Sequence, residues 1–271
     1  MARTIALHNF ATALGDVGET REAERILHQV LLQAAAAQHT GEIPWQPLIH
    51  YAEAALYQRH PDSALKYFSV IVRQSTRDTN LFWEGRGLFG VARAQVMLGR
   101  IAEAQRARTR LAEIIRQYPH VQDTDDVLPD GATIDGWIAL ARGDTAAAKA
   151  FFTATLTSNG YFEGKRKRLL RPVALLLAQS NLTLGLPQEA LDLATLARKS
   201  VLVDSIAVSQ NAILGEVRLI EGRALLALGD STQGRAAIGE ALVALRYGGG
   251  PDFPPTRLAD QLQARLQKGR P

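Results

Sequence analysis

The sequence has 271 residues, of which 46% are hydrophobic and 21% charged, and its formal net charge is +4. This composition supplies enough apolar material for a continuous core and excludes a disordered chain, while the near balance of 31 basic and 27 acidic residues does not indicate nucleic-acid binding. Disulfides and thiolate metal sites are excluded because cysteine is absent, and no apolar stretch approaches the length of about 18 residues that indicates a membrane span.

Helical periodicity and turn residues predict six helix pairs in chain order, followed by one last helix. The first helices of the pairs are predicted at 2–15, 45–58, 79–98, 131–142, 169–184 and 208–228. Their second helices are predicted at 19–37, 61–75, 101–118, 144–157, 187–201 and 231–246. The last helix, 255–268, follows the break formed by Gly248-Gly249-Gly250-Pro251.

A short turn joins the two helices of every pair, and a column of small residues lies on each side of it. Five turns open with Gly18, Gly99, Gly143, Gly185 or Gly229, and the remaining one opens with Arg59. The first column is Ala11, Ala52, Ala92, Gly136, Ala178 and Gly222, and the second is Ala23, Ala64, Ala104, Ala148, Ala190 and Gly234. Because antiparallel helices approach closely only where both lack large side chains, the columns predict six tightly packed helix pairs.

The two columns and the intervening turn resemble the tetratricopeptide (TPR) consensus from about Met1 to Arg246. The period of 40 to 44 residues exceeds the family's usual value of about 34 and resembles the long repeats of kinesin light chains and bacterial regulators. The resemblance implies an all-α fold: a right-handed α-solenoid of about six helix pairs over 1–247. Residues 248–271 are then a Gly/Pro linker and a C-terminal capping helix. Because the chain opens inside a predicted helix, we expect a fragment of a longer protein.

Motifs that carry catalytic or metal chemistry are not found. The run Gly85-Arg86-Gly87-Leu88-Phe89-Gly90 matches a dinucleotide-loop pattern but falls inside a predicted helix, which favours helix packing. The acidic segment 123–126 lacks the glycine and glutamate that a calcium loop requires. The six histidines show no paired-ligand spacing. We therefore expect no enzyme, no metal site and no cofactor.

The TPR resemblance places positions 2, 5, 9 and 13 of each first helix on a concave groove. With the first column taken as position 8, this predicts a partner-binding groove that includes Tyr57, Arg86, Phe89, Arg93, Met97, Trp137 and Gln179. Aromatic, methionine and arginine side chains are the types that anchor protein partners. The alternative is that several of them pack against the neighbouring repeat, and the sequence leaves both open.

A dense basic run lies between the fourth and fifth predicted repeats. It consists of Lys165, Arg166, Lys167 and Arg168, with Arg171 close behind. One interpretation is a loop that contacts nucleic acid or another anionic surface. The other is a solvated loop that joins two repeats, and the sequence favours this second interpretation.

These observations together predict a non-catalytic scaffold or ligand-sensing module that binds a protein or peptide. We expect it to belong to a larger bacterial regulatory protein, such as a serine/threonine kinase or a transcription regulator. The alternative is a nucleic-acid or anionic-surface binder that uses residues 165–171. A cytoplasmic location is expected because the first ten residues lack the apolar core of a signal peptide. A periplasmic or extracellular region of a larger protein is the other location considered.

Overall fold

The computed structural model describes residues 20–37, 45–117, 131–162, 167–201 and 210–268, together with Leu7, Phe10, Ala11 and Leu14. Within these ranges the protein is entirely helical, with twelve helices and no β-strand. The all-α prediction is therefore confirmed for the described part of the chain. The handedness of a solenoid and the number of repeats stay predictions.

The described helices match the predicted ones to within about two residues at most ends, whereas most of the predicted helix 2–15 lies outside the described residues. In the first half of the chain they are α1 (Thr20–Ala37), α2 (Trp45–Tyr57), α3 (Pro61–Arg77), α4 (Leu81–Met97), α5 (Ile101–Gln117) and α6 (Gly131–Ala141). In the second half they are α7 (Thr145–Ser158), α8 (Lys167–Thr183), α9 (Pro187–Val201), α10 (Gln210–Ala227), α11 (Ser231–Gly248) and α12 (Pro254–Lys268).

The chain divides into two compact units, one formed by 1–12 with 22–144 and the other by 13–21 with 145–271. In the first unit, α3 packs against α2 and α4, and α5 packs against α4 and α6. The first helices of successive pairs also meet there, because α4 contacts both α2 and α6. In the second unit, α9 packs against α8 and α10, and α12 packs against α11. The separation of 1–247 from 248–271 as repeat array and cap stays a prediction.

The five described turns inside helix pairs share one backbone conformation. Gly99 has a φ of +73°, and the amide of Arg100 donates to the Gln95 carbonyl at 2.8 Å, which closes the end of α4. Gly143, Gly185 and Gly229 adopt the same left-handed conformation. Arg59 adopts it as well, with a φ of +65°, although its side chain makes this conformation costly. Four of the five glycines that open turns in the sequence therefore have the left-handed conformation, and the fifth, Gly18, lies outside the described residues.

The residues of the two small-residue columns are buried. All nine alanines of the two columns are fully buried, and Gly136, Gly222 and Gly234 are buried as well. The dinucleotide-like run also serves packing, because it lies within α4 rather than after a strand. A Cβ atom on Gly87 would lie 2.8 Å from the Val72 side chain, and one on Gly90 would overlap the Phe68 ring. These glycines therefore let α4 approach α3.

Candidate protein-binding face

A stripe of half-buried side chains runs along α4 and forms the centre of the predicted groove. Arg86, Phe89, Arg93 and Met97 recur every three or four residues, so they lie on one side of the helix. Because α4 contacts α2 and α6, this stripe continues onto those helices. We call the resulting surface the groove face: it comprises Glu53 and Tyr57 of α2, the α4 stripe, and Trp137 of α6.

On the α2 side of the groove face, the charge of Arg86 is already paired. Its Nη2 atom donates to Oε1 of Glu53 at 3.1 Å, and the two residues belong to different helices. The Arg86 side chain is 21% exposed and that of Glu53 is 50% exposed. A carboxylate from a partner would therefore have to compete with Glu53 for this guanidinium.

On the α6 side, Trp137 contacts two of the predicted groove residues, Phe89 and Arg93. Its ring centroid lies 4.8 Å from that of Phe89, and the guanidinium carbon of Arg93 lies 5.6 Å from the Trp137 ring centroid. Trp137 is only 8% exposed, whereas Phe89 and Arg93 are half-buried. The tryptophan thus packs between neighbouring first helices, which was the alternative that the sequence left open, and it supports the side chains that reach the surface.

The remaining groove candidates lie at two separate places. Tyr57 ends α2 and Met97 ends α4, and both are half-buried. Gln179 belongs to α8 in the second unit, where its Oε1 atom accepts a hydrogen bond from Nη1 of Arg223 at 3.0 Å. Burial lowers the pKa of Arg223. This pair is 44 residues apart, as Arg93 and Trp137 are, so in each unit the same repeat position joins successive first helices.

The basic run does not form the predicted loop from Lys167 onward. Helix α8 begins at Lys167, so Lys167, Arg168 and Arg171 are helical, while Lys165 and Arg166 lie outside the described residues. Arg171 is 1% exposed and cannot contribute to a basic surface. The apolar residues after the run have helical spacing, and the helix that they form extends back to Lys167. This apolar spacing outweighs the preference of a charged segment for a loop.

Two buried carboxylates escaped sequence reasoning. Glu84 of α4 accepts from Nε of Arg110 at 2.8 Å, and Glu221 of α10 accepts from Nε of Arg198 at 2.9 Å. Both side chains are 4% exposed. Glu221 could have been found by aligning the repeats. It lies directly before the first column, where most other repeats have an apolar residue, so a buried position could be expected for it.

Among the residues that the structure describes, no group of three His, Asp or Glu side chains could hold a metal ion. The acidic segment 123–126 lies outside those residues. No helix in the described part is long and apolar enough to cross a membrane. No protein-family model matches the sequence, and no curated protein matches it significantly.

Proposed function

We propose that the groove face binds a protein or peptide with acidic and apolar character, and that the chain is a non-catalytic interaction module of the TPR type. We further propose that it serves a larger bacterial regulatory protein. The observation that carries the proposal is the row of side chains that the adjacent helices α2, α4 and α6 present together. Within that row, Arg93 lies one helical turn after Phe89 and one turn before Met97, and its guanidinium lies over the Trp137 ring.

The packing of these side chains favours recognition. Arg93 lies over the Trp137 ring, and Phe89 is in contact with the same ring, so neither side chain is free to adopt many rotamers. Less conformational entropy is then lost when a partner binds. An arginine in this setting can donate in fork geometry to a carboxylate, while the adjacent apolar groups take up a hydrophobic side chain.

A library of displayed peptides, selected on the immobilised protein, tests this proposal without a known partner. We expect enrichment of peptides that combine Asp or Glu with Leu, Phe or Met. The variants Arg93→Ala and Met97→Ala should each weaken the selected peptides, by more than about 1 kcal/mol where the residue is a hot spot. The matched control is Arg106→Ala on α5, where Arg106 is exposed and pairs with Glu103 within its own helix.

Two results would overturn the proposal. One is the absence of any enriched peptide class, and the other is equal binding of the enriched peptides to the Arg93→Ala and Arg106→Ala variants. A parallel titration with labelled single-stranded DNA tests the competing function. Binding of that DNA, lost on Lys167→Gln together with Arg168→Gln, would support an anionic-surface binder instead.

A further inference from the structure

A cleft in the second unit lies between α9 and α10 and reaches α11. Its volume is about 500 Å³, and it is an open surface cleft rather than an enclosed cavity. It is lined by the leucines Leu191, Leu196 and Leu225, the polar residues Thr195 and Gln233, and the charged residues Asp192, Arg198, Lys199, Arg218 and Glu221. None of these residues belongs to the groove face, so the cleft is a separate candidate site.

The buried carboxylate of Glu221 organises the charged part of the cleft. Its Oε1 atom accepts from Nε of Arg198 at 2.9 Å, and its Oε2 atom accepts from Nη1 of Arg218 at 2.8 Å. Arg218 also pairs with Glu240 at 2.5 Å. The buried carboxylate of Glu221 therefore fixes the positions of both arginines. Their own side chains stay partly exposed, 30% for Arg198 and 27% for Arg218.

Most of the other repeats have an apolar residue at the position of Glu221. The residue that precedes the first column is Glu221 in the sixth repeat and Asp135 in the fourth, but it is apolar in the rest: Phe10, Tyr51, Val91 and Leu177. A buried ion pair usually contributes less stability than apolar residues of similar size. Glu221 thus places at this position a buried carboxylate that pairs with two arginines beside the cleft, as Asp135 pairs with Arg108 in the fourth repeat.

The positioned arginines leave hydrogen-bond donors for a ligand. Arg198 uses Nε for Glu221, and within the described residues its two Nη groups have no hydrogen-bond partner. Lys199, the next residue of α9, is exposed and forms no ion pair with any described residue. Asp192 lies seven residues earlier on the same helix, or about 10 Å along its axis, and its carboxylate accepts from Gln188. The positive charge is therefore concentrated at the Arg198 end.

We propose that this cleft binds a small organic anion whose carboxylate or phosphate group contacts Arg198 and Lys199 and whose apolar body lies on Leu191, Leu196 and Leu225. An oxyanion matches the paired Nη donors of a guanidinium, which bind it in bidentate fashion. Three leucines also line the cleft, and their apolar surface matches a hydrocarbon chain rather than an inorganic ion. This site is independent of the proposed protein-binding function.

Octanoate and octyl phosphate, each below its micelle-forming concentration, are suitable probes of the two head groups. Binding is followed by methyl NMR shifts of Leu191, Leu196 and Leu225, and octyltrimethylammonium serves as the probe of opposite charge. We expect at least one anionic probe to shift these methyl signals and the cationic probe to leave them unchanged. The tighter of the two anions then identifies the head group.

Two variants assign the binding to the cleft. Arg198→Lys keeps the positive charge beside Glu221 but removes the fork, and it should weaken the anionic probe about tenfold or more. Lys199 is exposed, so we expect the Lys199→Gln variant to fold normally. This variant should weaken binding of the anionic probe about two- to fivefold. Lys268→Gln on α12 is the matched control and should have no effect. Equal binding of the cationic probe, no binding of either anion, or equal losses with Lys199→Gln and Lys268→Gln would overturn the proposal.

Discussion

Gly222 of α10 and Gly234 of α11 face each other across the last helix pair. A Cβ atom placed on Gly222 would lie 3.0 Å from the carbonyl oxygen of Gly234, and one placed on Gly234 would lie 3.1 Å from the carbonyl oxygen of Gly222. Both distances are shorter than ordinary contacts between a methyl group and an oxygen. The two columns that were recognised in the sequence therefore meet in space, and here they meet backbone to backbone.

This contact predicts opposite effects for two glycine-to-alanine changes in the same unit. Gly222→Ala would place its methyl group 2.7 Å from Cγ1 of Ile238 as well as against α11 backbone, and should destabilise the protein by about 1–3 kcal/mol. Gly239→Ala meets nothing within 4 Å and should stabilise α11 by roughly 0.5–1 kcal/mol. Urea unfolding of both variants measures this. A stable Gly222→Ala protein would show that the helices can separate without cost.

The fold was predictable to this extent because its determinants are local and repeated. A small residue, a turn residue with positive φ and a second small residue recur at a nearly constant spacing, so each copy supports the others. The start of α8 was predicted at residue 169 rather than at Lys167, because the basic residues before Arg171 were interpreted as a loop. Local charge is a weak determinant compared with the burial of an apolar face.

The backbone conformation of Thr79, between α3 and α4, leads us to expect that a substitution by glycine stabilises the protein. It has a φ of +54°, which is unfavourable for any residue with a side chain and especially for a β-branched one. Thr79→Gly should therefore stabilise the first unit by about 1 kcal/mol, even though the exposed hydrogen bond from Oγ1 to the Asp78 carbonyl is lost.

Thr76→Gly serves as the control for this change, because Thr76 is exposed and lies in the last turn of α3. It should destabilise the protein by up to about 1 kcal/mol, as expected for glycine in a helix. Thermal unfolding of both variants gives the comparison. Lower midpoints for both would mean that the backbone at Thr79 is not strained.

Arg110 bridges two carboxylates of different burial, and this allows a matched test of the charge pair. Its Nε atom donates to Glu84, which is 4% exposed, and its Nη1 atom donates to Glu113, which is 40% exposed. Both glutamates raise the pKa of Arg110, and the hydrogen bond to Glu84 is the larger cause. Glu84→Gln should cost about 1–3 kcal/mol, because it leaves a buried polar group facing a cation with less compensation.

Glu113→Gln removes the exposed contact of the same arginine and should cost less than about 1 kcal/mol. Chemical unfolding in low and high salt separates the two glutamates further, since salt screens the exposed pair more strongly than the buried one. Equal losses for both variants would show that the burial of Glu84 does not strengthen its pairing.

The candidate groove was only partly predictable. Its residues were found because they share a register with the small-residue columns, and that register is local. Which of them reach solvent depends on neighbours about 44 residues away: Trp137 is covered by Phe89 and Arg93 of the preceding repeat. A repeat pattern gives the position of a side chain on its helix but not the size of the side chain that meets it from the next helix.

Substitution of Glu53 tests the sign of the charge on the proposed partner. Its carboxylate is half exposed and pairs with Arg86 across α2 and α4, so it competes with any acidic ligand for that guanidinium. If the groove face binds acidic peptides, Glu53→Gln should tighten a selected peptide several-fold, because a competing carboxylate and its repulsion are both removed. Calorimetric titrations at two salt concentrations should also show a steeper salt dependence for this variant. Glu103→Gln on α5 removes a comparable exposed carboxylate from Arg106 and should change neither quantity. Weaker binding to the Glu53→Gln variant would mean instead that Glu53 contacts the partner, which would then carry positive charge at this position.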